Sequence, residues 1–512
     1  MLESTLVLAV VLTAAALYAV AVGLLAFYGL HSLWLLIVFA RHRRQAVPPA
    51  LAGDDLPPVL VQLPVFNERD VVIRLVEQVG RLDWPRHRLR IQLLDDSTDD
   101  SAAIGAEAIG RLRAQGFAAV QLRRPVRTGF KAGALEYGLA EDARHAEGPA
   151  EHIAIFDADF VPPSDFLRRA MASLLAPEAG DVAFVQGRWE HLNPEANLLT
   201  RAQALGIDGH FAIEQGARAW SGMALNFNGT CGIWRRSAIA AAGGWQHDTL
   251  TEDMDLSYRV QLAGWRGVYR IDVAVPGELP PTLEAWRSQQ FRWAKGSLQT
   301  ARKLLGAVWA SSWRVERKLA ATLHMTHYLV HPLILLSLIL APAAVLALPL
   351  MPWPVLWAGG AMLLCGMLPP ILLYIASQRV LGRPLSGLRA LPALAAMGTG
   401  IACSNARAAW QALRGVASAF VRTPKVGANG TGSYRSQAAT GIPELLAAAW
   451  GLFGIGMALF GASLWFAPIL AIYVTGFAHH GWRLALNRRR SAAAAPPPSA
   501  LPERSQDGIL TA

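Results

Sequence analysis

The stretch VLVQLPVFNERDVVIRLVEQVGRL, residues 59–82, decides the fold. Its first eight residues are apolar and rich in β-formers, which predicts a strand. In the remainder, apolar residues recur at helical spacing, namely Val71, Val72, Leu75, Val76 and Val79. A strand followed at once by an amphipathic helix is the repeating unit of a parallel sheet.

The same alternation occurs three more times. Predicted strands cover residues 90–96, 118–124 and 152–160, and a helical pattern follows each of them. Repeated β-α units predict an α/β fold with a mostly parallel sheet and helices on both faces. Ligands of such sheets bind outside the carboxyl ends of the strands. We therefore expect the acidic motifs LLDDS and IFDADF, which end two of the strands, to lie at a binding site.

Apolar segments flank this domain. The 512 residues are 53% hydrophobic and 16% charged, with a mean hydropathy of +0.29, which is too apolar for an ordinary soluble chain. An uncharged run from Leu6 to Ala40 ends in the basic cluster RHRR. Because that cluster follows the apolar core, the run is a membrane span rather than a signal peptide. We expect one long helix, tilted or kinked, and the alternative is two short helices. Further apolar runs cover 322–350, 355–377, 442–461 and 464–484.

Basic linkers predict that residues 41–320, the region 378–441 and the C-terminal tail lie on the cytoplasmic side of the plasma (inner) membrane. The predicted division is residues 1–44, an N-terminal span and its basic flank; 45–320, the cytoplasmic domain; 321–378, two spans; 379–441, an interface helix and a loop; 442–486, two spans; and 487–512, a disordered tail. Within the fourth segment, residues 388–415 are expected to lie along the interface, and the alternative is a further crossing.

Charge and cysteine content exclude some classes. The net charge of +10 arises mostly from Arg and Lys beside the membrane segments, so membrane lipids or a diphosphate are the expected partners and not nucleic acid. The three cysteines show no spacing for disulfides or a metal, which is typical of a reducing compartment.

The DAD motif places Asp157 and Asp159 directly after an apolar predicted strand. Side chains two residues apart on an extended chain point the same way, so this pair can share a hard divalent cation. Such an ion would neutralise the diphosphate of a nucleotide sugar. The alternative is a pair of solvated loop carboxylates.

The segment TEDMDLSYR, residues 251–259, begins with three carboxylates among five residues. One interpretation is an acidic first helical turn with Thr251 as the N-cap. The other is a general base, because a carboxylate held near other acids has a raised pKa.

Two basic motifs remain. QQFRW, residues 289–293, is typical either of an arginine and a tryptophan at a membrane surface or of a site in which an indole stacks on a sugar and a guanidinium binds a diphosphate. RTGFKAGALEYG, residues 127–138, places Arg127 and Lys131 around a helix start, which is either an anion-binding end or a solvated turn.

The order LPVFNE, LLDDS, KAG, DADF, FNGT, TEDMD, QQFRW resembles that of processive family-2 glycosyltransferases. The chain is similar to the cellulose-synthase superfamily, above all to its mannan-synthase-type branch with bacterial relatives. The resemblance covers about residues 55–305 and the membrane region, where FVRTPK, residues 420–425, looks like that superfamily's gating loop. It implies a GT-A type sheet held between transmembrane helices.

The resemblance also implies roles for individual residues. Asp253 would be the general base, and Asp157 and Asp159 would hold Mg²⁺ or Mn²⁺ against the diphosphate. The remaining donor and acceptor contacts would come from Asp96 at the nucleoside, Lys131 and Asp157 near the diphosphate, Gln289, Arg292 and Trp293 at the acceptor and diphosphate, and Thr423 and Lys425 over the donor.

Three functional hypotheses follow. The first is a processive, inverting β-glycan synthase that uses UDP-glucose or GDP-mannose as donor and a glycan as acceptor. The second is a glycosyltransferase that adds one or a few sugars to a lipid acceptor. The third is a multi-pass transporter or scaffold, which would need charged residues inside the spans, and those have almost none.

Overall fold

The computed structural model describes residues 2–417, 440–460 and 467–493. Within these residues the α-helices are α1 (Leu2–His42), α2 (Val72–Val79), α3 (Ser101–Ala114), α4 (Phe130–Asp142), α5 (Phe166–Met171), α6 (Leu198–Asp208), α7 (Gln215–Trp220), α8 (Arg236–Ala241), α9 (Glu252–Leu262), α10 (Leu283–Ala310), α11 (Val315–Thr326), α12 (Val330–Ala347), α13 (Trp353–Val380), α14 (Leu391–Gly400), α15 (Ala402–Leu413), α16 (Ile442–Phe460) and α17 (Ala467–Ala493). A π-helical segment, Gly209–Glu214, joins α6 to α7.

The strands form one sheet. They are β1 (Val59–Val65), β2 (Leu89–Asp95), β3 (Ala118–Leu122), β4 (His152–Ile155), β5 (Val182–His191), β6 (Gly232–Arg235) and β7 (Arg266–Gly277). Their order is β3-β2-β1-β4-β6-β5-β7. Only β6 runs antiparallel to its neighbours, and the other pairings are parallel. The predicted mostly parallel α/β sheet is confirmed.

Both faces of the sheet are covered by helices. In β1, Val59, Val61 and Leu63 pack into a core cluster with side chains of α2 and α3. The intervening Leu60 points to the opposite face and packs into a second cluster with residues of α4 and α9. Successive side chains of a strand alternate between faces, so a strand buried on both sides is mostly apolar, as β1 is. Its one polar residue, Gln62, is buried and donates to Gln92 Oε1 and to the carbonyl of Leu135.

The structure departs from the predicted strands in two ways. The strand predicted over 152–160 ends at Ile155, and the chain turns before Asp159. Two long strands, β5 and β7, pair with each other and were not predicted. Their pairing carries a register shift between Gly187 and Arg188: residues 271–273 of β7 have no partner on β5, and regular pairing resumes with Arg188 opposite Ala274.

Four helical segments are long and apolar enough to cross a membrane in the part of the chain that the structure describes: Thr5–His42, Val315–Leu350, Trp353–Val380 and Ile442–Phe460. The count becomes five if the bent pair Leu385–Gly400 and Ala402–Leu413 is one span. The predicted single N-terminal helix is present as α1. The predicted span over 464–484 falls on α17, which is outside these four, and its crossing stays a prediction.

Helix α10 connects the sheet domain to the apolar helices. It packs against α9 on one side and against α11, α15 and α17 on the others. A Cβ atom at Gly296 of α10 would come within 2.8 Å of the backbone nitrogen of Thr251, so only glycine permits this contact with the start of α9.

Candidate active site

The DAD motif lies where β4 ends. The backbone N–H of Asp157 donates to Thr230 Oγ1 at 2.9 Å, and Asp157 Oδ1 accepts from Lys131 Nζ at 2.5 Å. Asp159 is buried. Since the chain turns between them, the two aspartates reach the same pocket from a turn and not from the extended strand that the sequence predicted.

The FNGT segment, residues 227–230, lies beside the DAD motif. Lys131 Nζ donates to the carbonyl of Gly229 at 2.8 Å. Gly229 has a φ of +79°, and a Cβ there would lie 3.0 Å from Asp253 Oδ2 and 3.3 Å from Lys131 Nζ. A side chain at this position would therefore be strained and would enter the site. Glycine at this position therefore allows the Asp253 carboxylate, the Lys131 ammonium group and the backbone to approach one another.

Helix α9 brings Glu252 and Asp253 to the pocket at its first turn. Burial and the neighbouring Glu252 carboxylate raise the pKa of Asp253 to about 7, although Lys131 opposes the shift. Burial also raises the pKa of Glu252. Thr251 precedes the helix as predicted, but its hydroxyl pairs with that of Thr300 at 3.2 Å instead of capping α9.

The QQFRW motif lies in α10, and Gln289, Arg292 and Trp293 all line the pocket. They occupy positions i, i+3 and i+4, which share one face of a helix. Burial lowers the pKa of the Arg292 guanidinium, and the facing carboxylates, led by Glu252, counteract this. Burial likewise lowers the pKa of Lys131, but Asp157 and Glu252 outweigh it and raise the pKa above its usual value.

One pocket thus collects seven of the predicted residues: Lys131, Asp157, Asp159, Asp253, Gln289, Arg292 and Trp293. The predicted convergence of motifs that are far apart in the sequence is present in the structure.

One predicted residue, Asp96, lies elsewhere. Asp96 follows β2 and does not line this pocket; both of its carboxylate oxygens accept from Arg124, and Arg127 lies 3.7 Å away. Its contact with the nucleoside stays a prediction. Thr423 and Lys425 fall outside the described residues.

The pocket also contains residues that the sequence analysis did not single out. Glu252 was treated only as part of an acidic turn. Trp189, Glu190 and His191 end β5 and line the pocket as well. A polar and aromatic sequence, RWEH, directly after VAFVQG is the signal that could have identified them, since strand ends are where ligands bind.

The donor set at the DAD motif fits a hard divalent cation. Carboxylate oxygens are the ligands that Mg²⁺ and Mn²⁺ prefer, and Asp157 and Asp159 supply them at the pocket wall. No group of three or more His, Cys, Asp or Glu residues that could hold a metal occurs among the described residues. Two carboxylates suit an ion whose other ligands are substrate phosphates and water.

Two models of known protein families match the sequence that forms this pocket. The family model described as glycosyl transferase family 2 matches residues 61–241, and that described as glycosyl transferase family group 2 matches residues 152–377. Together they cover the sheet, the pocket and the first helices that follow. The chain belongs to glycosyltransferase family 2.

Curated relatives of this family-2 chain match about half of its length. "Glucomannan 4-beta-mannosyltransferase 1" of Oryza sativa subsp. japonica is 42% identical over 272 residues, 52% of this chain and 51% of the relative. "Glucomannan 4-beta-mannosyltransferase 2" of Arabidopsis thaliana is 42% identical over 257 residues, 50% of this chain and 47% of the relative. The match thus spans about half the length of these relatives.

Among solved structures, "Mannosyltransferase PcManGT from Pyrobaculum calidifontis in complex with GDP-Man and Mn2+" is 20% identical, with a TM-score of 0.49. The match covers 73% of this family-2 chain and 99% of that one.

Proposed function

We propose that this family-2 member is a membrane-integrated, inverting hexosyltransferase that extends a β-glycan from a nucleotide sugar. Mannose from GDP-mannose is the first candidate and glucose from UDP-glucose the second, because the curated relatives are named as glucomannan mannosyltransferases. The observation that carries the proposal is the pocket in which Asp253, Trp293 and the DAD motif meet.

Lys131 and Arg292 bind the donor's diphosphate. Both cations line the pocket, and both face its carboxylates. A divalent cation at Asp157 and Asp159 supplies charge neutralisation for the leaving diphosphate. The two basic side chains bind other oxygens of the same group, because a diphosphate offers more acceptor oxygens than one metal ion uses. Asp96, Thr423 and Lys425 would contact the remaining donor atoms.

Trp293 provides a flat apolar surface for the acceptor sugar, and Gln289 orients its hydroxyls. Asp253 removes the proton from the attacking hydroxyl. That oxygen forms a bond to the anomeric carbon as the bond from this carbon to the diphosphate oxygen breaks. The nucleoside diphosphate leaves with the bonding electrons, and an α-linked donor gives a β-linked product. A carboxylate with a pKa near 7 is matched to this task at neutral pH.

The proposal includes the membrane arrangement. The sheet domain lies on the cytoplasmic side of the plasma membrane, and the helices that flank it span the bilayer. Support comes from the apolar character of the four candidate spans and from the basic clusters at residues 41–44 and 487–490.

A donor panel tests the proposal. The full chain, in detergent or nanodiscs with Mg²⁺ or Mn²⁺, is given UDP- and GDP-sugars, and released nucleoside diphosphate and labelled product are measured. We expect GDP-mannose or UDP-glucose to give a β-linked polymer. Product that is short and extractable into organic solvent would support the lipid-acceptor alternative. Absence of transfer from every donor by folded protein would overturn the proposal.

A further inference from the structure

A cluster of charged side chains lies behind one wall of the pocket. It joins three elements: the end of β5 with Glu190 and His191, the end of α6 with Asp208, and the turn after α13 with Arg383. Helix α13 is one of the four candidate membrane spans. The cluster therefore connects the pocket wall to the membrane helices.

Asp208 is the centre of the cluster. Its carboxylate accepts from His191 Nε2 at 2.9 Å, from Gln378 Nε2 at 2.9 Å and from Arg383 Nη1 at 2.5 Å. The side chains of His191 and Asp208 are only 1% and 2% exposed. Because an ionised carboxylate only accepts, Nε2 of His191 carries the hydrogen, and this fixes the ring's tautomer and orientation.

Glu190 is held by two arginines. Its carboxylate accepts from Arg188 Nη1 at 2.7 Å and also from Arg383. The side chain stays partly exposed, and Glu190 lines the pocket. A carboxylate fixed in this way keeps free lone pairs, and the hydroxyl groups of a sugar are donors that match them.

Trp189 belongs to the same wall and lies on the side of α10, near Trp293. Its ring stacks on Phe211 with a centroid distance of 5.1 Å and lies 6.4 Å from the ring of Trp293. Both indoles line the pocket. An aromatic pair followed by a carboxylate and an imidazole combines flat apolar surface with fixed polar groups, which is what a pyranose ring requires.

Side-chain anchors set the position of this wall. The register of β5 on β7 shifts between Gly187 and Arg188. Trp189, Glu190 and His191 therefore come directly after a break in the regular pairing of the two strands. Irregularities of this kind aim side chains in new directions. Arg383 contacts both Glu190 and Asp208, and Asp208 in turn holds His191.

We propose that Trp189, Glu190 and His191 form the wall that selects the terminal sugar of a β-linked glycan acceptor, and that Arg383 is a positioning residue that holds this wall from the membrane side. The inference rests on the proposed function, because the acceptor is defined there. It adds a second acceptor surface beside Trp293 and assigns a role in acceptor selection to Arg383, in the turn after the candidate span α13.

Three variants in the full chain test Arg383. Arg383→Ala removes both contacts, Arg383→Lys keeps the charge, and Arg379→Ala is the control, because it removes an exposed positive charge at the end of the same helix. Initial rates are measured against donor concentration and against the concentration of a short β-linked manno-oligosaccharide. Thermal unfolding is followed for each variant.

Arg383→Ala should raise the acceptor KM about tenfold or more while the donor KM stays unchanged, since small displacements of positioning groups cost up to about 100-fold. Arg383→Lys should recover part of this loss, and Arg379→Ala should match the wild type. An unchanged acceptor KM in folded Arg383→Ala protein would overturn the inference. So would a loss of donor and acceptor binding in parallel that lysine does not restore.

Glu190→Gln is a second test in case Arg383→Ala does not fold. In this variant Arg383 keeps its ion pair with Asp208. The substitution should also raise the acceptor KM and leave the donor KM unchanged, and an unchanged acceptor KM would overturn the assignment of the wall. The two proposals fail differently. If wild-type protein transfers no sugar, the proposed function fails, whereas active wild type with unaffected Arg383 and Glu190 variants contradicts the wall alone.

Discussion

The first turn of α9 carries two aspartates, Asp253 and Asp255, whose carboxyl groups lie in different surroundings. Asp253 faces the pocket, and its pKa is raised to about 7 by burial and by Glu252. Asp255, two residues later, has a fully buried side chain that pairs with Arg259 at 2.7 Å and with Lys303 at 2.8 Å. The comparison teaches that partners, not sequence, distinguish a reactive carboxylate from a structural one.

The largest expected effect separates these aspartates by activity. Asp253→Asn should lower kcat by about 100- to 10,000-fold, because proton removal by a positioned base contributes that much to rate. Donor binding should stay near the wild-type value, since the base acts only in the chemical step. Single-turnover transfer and nucleotide binding measure the two effects. Wild-type turnover by this variant would contradict the assignment of the base.

The matched substitution Asp255→Asn should act on stability. It leaves Arg259 and Lys303 without their buried anion, at a cost of about 3 kcal/mol, the low end for breaking a buried pair. The low end applies because Lys303 keeps Asp248, and Arg259 keeps two backbone carbonyls. Unfolding is followed in detergent at neutral pH. A variant as stable as wild type but unable to transfer would reverse the roles assigned to the two aspartates.

The pH dependence sharpens the comparison. Transfer should increase as the pH rises through about 7, because Asp253 accepts a proton only when ionised. A carboxyl whose pKa is raised on folding holds its proton more tightly in the native state, so its contribution to stability decreases between about pH 4, the unfolded value, and pH 7. Asp253→Asn should therefore be more stable than wild type above pH 7, and this gap should close towards pH 4. A gap that does not change with pH would argue against the raised pKa.

The smallest effect concerns the neighbour. Glu252→Gln removes a negative charge that raises the pKa of Asp253, so the rising limb of the pH–rate profile should move to lower pH. The maximal rate should change less than in Asp253→Asn, since the base remains. Initial rates are measured between about pH 5 and 9, a range that brackets the titration of Asp253, and they give the midpoint of the rising limb. A midpoint displaced to higher pH would show that Glu252 acts on Asp253 in another way.

The sequence predicts the parts of the fold that depend on local periodicity. β1 and α2 follow from the change from continuous to helical apolar spacing, and Leu6–Ala40 follows from its length without charge. It does not predict β5 and β7, because their pairing joins segments separated by about 80 residues, and a register shift interrupts it. The end of β4 is also beyond local rules, since a turn replaces its last predicted residues.

The site divides in the same way. The order of the motifs predicts that Lys131, Asp157, Asp253 and Arg292 meet, and one pocket contains them. Trp189, Glu190 and His191 were missed because their direction depends on the irregular end of β5 and on Arg383, which is nearly 200 residues away in the chain. The roles of Asp96, Thr423 and Lys425 stay predictions.

Helix α10 has a mechanical consequence. It is continuous over 28 residues, about 42 Å at the rise of an α-helix. Near its start it carries the Arg287–Glu444 pair with α16, in its middle the QQFRW residues, and further along Lys303, which pairs with Asp255. A displacement of α16 would therefore be transmitted along one continuous helix, to the pocket residues of QQFRW and to the ion pair that holds Asp255.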